Sequence, residues 1–490
     1  MRQNRDGGVK LYRLLGLFSL LSLALYHSLL SASFENFKRQ QNQSFATFQN
    51  SHDSAFENYL RREWKEYQTL GEKKLYEKDK PRSIEPSKAD TPKSVGPLVK
   101  IQVDTADLNK STPAMPVAPE KEQKRDLTID FFGTKLSLDV VDKVKSAKYY
   151  PYSQTGIANF YGHVASSDYE TLVAFIKRES KELELNDWGV HLLVWTLSKN
   201  LYESQNEARL LSWFLLVKLG YDVKVALSGQ HIVLLHYSKA IIYSAPRFKF
   251  KGREYYILSD SHEPMRNYKK IRTYEQDFEG ASNALDLTLS RLPKLAKNMK
   301  NKRLQFTYQG ENYSIEFAYN ENLIAFMATY PQAEYETFFN APVAQESLLA
   351  IVEQMKKILD AKQASDALNF VLGFVQNAFV YERDQEQFGR EKVMFAQETL
   401  AYDKSDCEDR AVLYAFLVKE LFKMSVAGVK YSDHMATALY VPLEGDSVMI
   451  GRRRFVIADP TYINANVGES MPKYKSQIPD SYILVKTEEL

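Results

Sequence analysis

Three residues in the last third of the chain have the types and settings that thiol-dependent acyl transfer requires. Cys407 is the single cysteine, and it stands in Lys404-Ser405-Asp406-Cys407-Glu408-Asp409-Arg410-Ala411, ahead of the apolar run Val412 to Val418. Ser405 followed three residues later by Glu408 predicts a capping box, which puts Cys407 in the first turn of a helix. Unpaired backbone N–H groups and the positive end of the macrodipole lower a thiol pKa there. A cysteine needed only as a small apolar residue would sit more naturally in mid-helix. His434, the only histidine after His262, opens the strand-like segment Asp433 to Tyr440, and Asp459 closes Arg452 to Asp459. Neighbouring antiparallel strands can bring such ends side by side. The imidazole would then take the thiol proton while the carboxylate fixes the ring's tautomer and stabilises its charged form.

Asp406-Cys407-Glu408-Asp409-Arg410, Asp433-His434-Met435-Ala436 and Ala458-Asp459-Pro460-Thr461-Tyr462 together resemble the transglutaminase-like cysteine hydrolase superfamily, over roughly residues 367 to 474. The resemblance is nearest to exported bacterial members and implies a papain-like α+β core. It makes Cys407 the nucleophile, His434 the base and then acid, and Asp459 the orienting group. Families of this type add an oxyanion donor from the segment before the helix, for which Tyr381 and Gln376 are the candidates, each equally able simply to cap or pack. Asp384, Gln385 and Gln397 are candidates for shaping the acyl-donor cleft. Zinc held by Cys407, His434 and Asp459 is a further reading, less suited to a cysteine at a helix start. No acidic loop has calcium-ligand spacing, and no cofactor or metal is expected.

The rest of the chain must position these groups. Its 490 residues are 44% hydrophobic and 26% charged, which excludes a wholly disordered protein and gives room for about three domains. The net charge of +2 offers no global field for nucleic acid. Arg2, Arg5, Lys10 and Arg13 precede an apolar run from Leu14 to Leu30, with Ser31-Ala32-Ser33 after it. Residues 1–33 therefore read as a signal peptide, or as an anchor held in the membrane through residues 14–30 if uncleaved. Either places the body outside the cytoplasm, in the periplasm or beyond, where a lone thiol is either buried or used.

Aromatic rows at Phe34, Phe45, Phe56, Tyr67 and at Phe37, Phe48, Tyr59, Leu70 predict an amphipathic helix over 34–77. It would dock a protein partner, self-associate, lie on a membrane, or pack on its own domain. Prolines scattered among polar residues make 78–124 a disordered linker. Beyond it the chain is internally repeated: Tyr150-Pro151 matches Tyr330-Pro331, and Glu207-Ala208-Arg209 through Lys218 matches Glu408-Asp409-Arg410 through Lys419. The expected architecture is α+β, two tandem transglutaminase-like units at 125–298 and 299–490, each with a β-rich lead-in. In the first unit Asn206 falls opposite Cys407, His231 opposite His434 and Asp260 opposite Asp459. An amide cannot form a thioester, so that unit reads as a degenerate copy. The expected function is acyl transfer from a protein or peptide-like amide, with water the favoured acceptor; the competing reading is a noncatalytic exported scaffold.

Overall fold

The computed structural model describes residues 40–41, 51–62, 64–88, 90–102, 126–139, 142–258 and 268–485. The chain is α+β, with a small antiparallel hairpin, a group of helices and a larger sheet in each half. Leu127–Phe131 pairs with Thr134–Leu138 in the first half, and Met299–Tyr308 pairs with Glu311–Asn320 in the second. The second hairpin turns at Gln309-Gly310, both at positive φ, and runs straight into the helix Glu321–Ala328. The lead-in strands thus end at Asn320, whose side chain caps that helix by accepting the N–H of Asn322.

The two larger sheets have the same strand order. In the second half it runs Ser447–Ile450, Arg453–Ala458, Met435–Leu439, Val426–Lys430, Ser481–Leu484. In the first half it runs Arg247–Phe250, Arg253–Ile257, His231–Tyr237, Val223–Ser228, Lys270–Thr273, with Lys65–Gln68 added outside. A buried helix precedes each sheet, Gln205–Lys218 and Cys407–Phe422. Both helices are apolar on nearly every face, as expected of elements enclosed between a sheet and other helices. One continuous core joins the halves. Across the seam the Trp188 indole donates to Thr329 Oγ1 and the Asn186 amide to the Tyr330 hydroxyl.

Two expectations for the N-terminal region are corrected. The helix described here covers 51–60, and Lys65–Gln68 is a strand on the edge of the first sheet. Strand pairing wins there because Lys65–Gln68 pairs with Lys270–Thr273 and Tyr67 packs on Phe250. Phe56 is buried against Tyr161, Tyr274 and Phe278, so this part of the aromatic stripe serves its own domain. Residues 78–88 and 90–102 are not a free linker. Lys80 and Ile101 are buried, Ser87 N–H bonds Ile463 O and Val99 N–H bonds Lys362 O. Proline and polar composition hid this because the segment borrows the second half's core instead of making its own. Residues 103–125 and the apolar run 14–30 lie outside the described residues. Among the described residues no helix is long and apolar enough to cross a membrane.

Candidate active site

His434 and Asp459 meet through the sheet register. Lys430 faces Met435 across a tight hairpin closed by Tyr431 N–H to His434 O at 2.8 Å. Thr437 faces Ala458 on the next strand, so Asp459 falls opposite Ala436, one diagonal step along the same face from His434. His434 Nε2 lies 2.8 Å from Asp459 Oδ2, with the two side chains 0% and 2% exposed. The second carboxylate oxygen accepts the N–H of Thr461 at 3.0 Å. His434 Nδ1 is buried with no hydrogen-bond partner. With Nε2–H given to Asp459, the lone pair of Nδ1 is the ring's free base. Tyr474 stacks on the imidazole at 4.7 Å between ring centres. The Tyr474 hydroxyl is pushed up by burial, by Asp433, and by the charges of Cys407 and Asp459, so thiol and carboxylate both bear on the ring that covers His434.

Cys407 is the first residue of the helix Cys407–Phe422 and is fully buried. The capping arrangement lies one residue later than the sequence suggests. Asp406 is the N-cap, and the Asp409 carboxylate accepts its N–H at 3.2 Å. Ser405 is instead held in a short parallel pairing with Tyr381, and its hydroxyl accepts from Arg410 Nε at 3.1 Å. Glu408 is thereby released to face the sulfur. The Cys407 thiol donates to Glu408 Oε2 at 3.1 Å, and the Tyr76 hydroxyl stands 4.0 Å from Sγ. No hydrogen bond joins Sγ to His434, whose single side-chain partner is Asp459.

The expectation of a lowered thiol pKa is also corrected. Burial pushes the Cys407 thiol up, Glu408 and Asp406 push it further, and Lys80 only partly offsets them. The helix terminus is present, but carboxylates and exclusion of water outweigh it in this closed arrangement.

A buried charge cluster surrounds the thiol. Lys80 Nζ is 2.5 Å from Asp406 Oδ2, 2.5 Å from Glu408 Oε1, 2.9 Å from Asp384 Oδ2 and 2.9 Å from Glu391 Oε2. Burial works against the Lys80 charge, yet Asp406, Glu408 and Asp384 outweigh it and hold the ammonium well above its ordinary value. Burial raises the carboxyls of Asp384 and Asp406, and Asp409 is pushed up to about 7. Burial also pushes the Glu408 carboxyl up, but the Lys80 charge and hydrogen bonds with Asp406, Lys80 and Cys407 together outweigh it and hold that carboxylate low. One ammonium therefore faces one carboxylate held low and neighbouring carboxyls that burial pushes up.

The remaining sequence candidates divide clearly. Gln376 is not an oxyanion donor here: its Nε2 donates to the carbonyls of Asp459, Tyr462 and Ala465 at 3.1, 2.9 and 3.0 Å, fixing the turn that carries Asp459. The Tyr381 hydroxyl donates to Pro81 O at 2.9 Å. Asp384 belongs to the Lys80 cluster, Gln385 bonds Gly389 O, and Gln397 accepts the N–H of Ala344 inside the core. A zinc site of Cys407, His434 and Asp459 does not fit, because the groups with ligand atoms within 4.8 Å of one another combine Cys407 with Asp406 and Glu408. In the first half Asn206 donates to Gln230 O and accepts from Ile232 N–H, a purely structural bracket, while His231 is exposed and Asp260 lies outside the described residues.

Lys80 and Tyr76 were missed by sequence reasoning, which assigned them to a linker and to the end of a helix. The signal available was weak: a lone Tyr-Glu-Lys-Asp-Lys-Pro run between polar stretches. No protein-family model, curated protein or solved structure matches this chain.

Proposed function

We propose that the chain is an exported thiol-dependent acyl-transfer enzyme, a protease or amidase of transglutaminase-like type, that cleaves an amide through a Cys407 thioester. The observation that carries this reading is the buried His434–Asp459 pair with Nδ1 left unpartnered, with Cys407 at the start of a helix that packs on the strand following His434. The shared strand order of the two larger sheets supports tandem units of one kind, and the basic-then-apolar N-terminal segment supports export.

In the reaction, His434 Nδ1 takes the Cys407 proton as sulfur attacks the acyl carbonyl. The Cys407 backbone N–H, in the unpaired first turn of its helix, faces the developing oxyanion. His434 then returns the proton to the departing amine, leaving a thioester. Water attacks next, His434 takes its proton, and carboxylic acid and free thiol are restored. Asp459 holds Nε2–H throughout and stabilises the imidazolium.

The thiol's burial and its bond to Glu408 favour a second reading, a noncatalytic scaffold in which Cys407 is a packed residue. Acylation with p-nitrophenyl acetate, read by intact mass and peptide mapping, separates them in wild type and in Tyr76→Ala/Lys80→Ala full chains. The enzyme reading predicts an acetyl adduct on Cys407 that turns over and that His434→Ala slows at least 100-fold. No adduct in either chain, or an adduct indifferent to His434, supports the scaffold.

A further inference from the structure

Residues 75–82 run from the hairpin that precedes His434 to the strand residue Tyr381. Glu77 and Lys78 N–H groups donate to Ser432 O, two residues before His434, at 3.2 and 3.3 Å. On the far side Tyr381 donates to Pro81 O, just after Lys80. Between these anchors the Tyr76 hydroxyl donates to Glu408 Oε2 at 3.0 Å, on the same carboxylate oxygen that receives the thiol. Lys80 fills the acidic pocket beyond it with a side chain only 2% exposed. This is an irregular, bent stretch of polypeptide pinned by its backbone beside Cys407, with the Lys80 side chain buried in an acidic pocket.

The pocket does not suit an empty state. Asp384, Asp406 and Glu408 are essentially inaccessible to water, and Asp384 Oδ1 and Asp406 Oδ1 lack any hydrogen-bond partner even with Lys80 in place. If residues 75–82 withdraw, the buried Glu408 carboxylate loses its counter-ion and the unpartnered oxygens of Asp384 and Asp406 gain no donor, an arrangement that favours another cation with several N–H donors. The oxygen distances of 2.5 to 2.9 Å from Nζ are hydrogen-bond lengths for an ammonium group.

We propose that the pocket of Asp384, Glu391, Asp406 and Glu408 is a primary-ammonium subsite of the Cys407 site. Lys80 fills it in cis, and residues 75–82 stand where a lysine-bearing peptide substrate binds. This rests on the acyl-transfer reading for the word substrate, whereas the pocket's selectivity is a separate property. It also explains why the thiol is closed off. The chain carries its own occupant, so the site opens only when this stretch leaves.

The test measures iodoacetamide labelling of Cys407 at pH 7.5 in the full-length protein. The Tyr76→Ala/Lys80→Ala variant is expected to label at least 10-fold faster than wild type. A synthetic peptide of residues 72–86 should slow that labelling, and the same peptide with norleucine in place of Lys80 should protect at least 10-fold more weakly. Should the double variant lose its cooperative melt, Lys80→Ala alone, which empties the subsite and keeps the Tyr76 ring, carries the same comparison. Labelling as slow as in wild type, equal protection by the two peptides, or stronger protection by calcium or zinc alone overturns the proposal. His434→Ala in the same background separates the two readings: lysine selectivity that persists while labelling is indifferent to His434 removes the enzyme and leaves the subsite.

Discussion

Lys80 Nζ and Glu408 Oε1 meet at 2.5 Å, and the other oxygen of the same glutamate takes the Cys407 thiol proton at 3.1 Å. A residue far upstream thus shares a carboxylate with the nucleophile. In the closed arrangement the thiol proton is directed to Glu408, and His434 is left with an unpartnered nitrogen. On the proposed acyl-transfer reading, opening the site releases Glu408 from Lys80 and frees the thiol for the imidazole, so covering the site and switching off its base are one event.

Asp459→Asn removes the carboxylate that fixes His434 but keeps its size. The amide can present its NH2 to Nε2, which favours the tautomer with the proton on Nδ1 and removes the base. Turnover of an amide substrate is expected to fall by about 10³–10⁴-fold with little change in melting temperature. Steady-state kinetics alongside calorimetry checks both.

Gln376→Leu leaves the carbonyls of Asp459, Tyr462 and Ala465 without their common donor. Leaving buried acceptors unpaired costs about 1–3 kcal/mol in stability. The turn bearing Asp459 loosens with it, so kcat falls while KM for a small acyl donor is nearly unchanged. Urea denaturation and a kcat against KM comparison separate this from a purely structural loss.

Arg410→Lys tests how the helix start is held. The buried guanidinium donates to Ser405 Oγ, Gln376 O and Phe379 O at 3.1, 3.2 and 2.8 Å. Burial lowers its pKa to about 10. A lysine cannot span those three acceptors in one plane. A loss of about 2 kcal/mol in denaturant unfolding is expected, without the recovery that a simple charge requirement would give.

Stability should decline from mild acid to alkaline pH because of the buried carboxyls. Asp409 rises from an ordinary 3.8 to about 7 in the folded chain, pushed first by burial and then by Glu408. A raised folded pKa gives a contribution that is complete below the unfolded value and lost as pH climbs through about 7. Asp384 and Asp406 are shifted in the same direction. Glu408, held low, acts oppositely, but only as pH falls below its ordinary 4.5. Melting temperatures from pH 5 to 9 should therefore slope downward, and Asp409→Asn should flatten that slope. A flat wild-type profile contradicts the assignment.

The His434–Asp459 pairing was legible because two short strands with a histidine at one start and an aspartate at the other end can pair in only a few registers. The α+β class was legible too, and the two larger sheets share one strand order. The capping box slipped by one residue because Ser405 is taken by a parallel pairing with Tyr381, a long-range contact no local pattern contains. Tyr76 and Lys80 were illegible for the same reason: their partners Glu408 and Asp384 lie hundreds of residues away in the chain. The thiol's raised pKa follows from that cover, and so could not be read from the helix start alone.

The most direct test is the pH dependence of Cys407 alkylation in the Tyr76→Ala/Lys80→Ala full chain, with and without His434→Ala. A thiol paired with imidazole is expected to react well below the ordinary thiol range near 8.5, with an inflection at about pH 7 or lower. His434→Ala should return the inflection to about 8.5 or above. The same inflection in both proteins would contradict a Cys407–His434 couple and leave the thiol a packed residue.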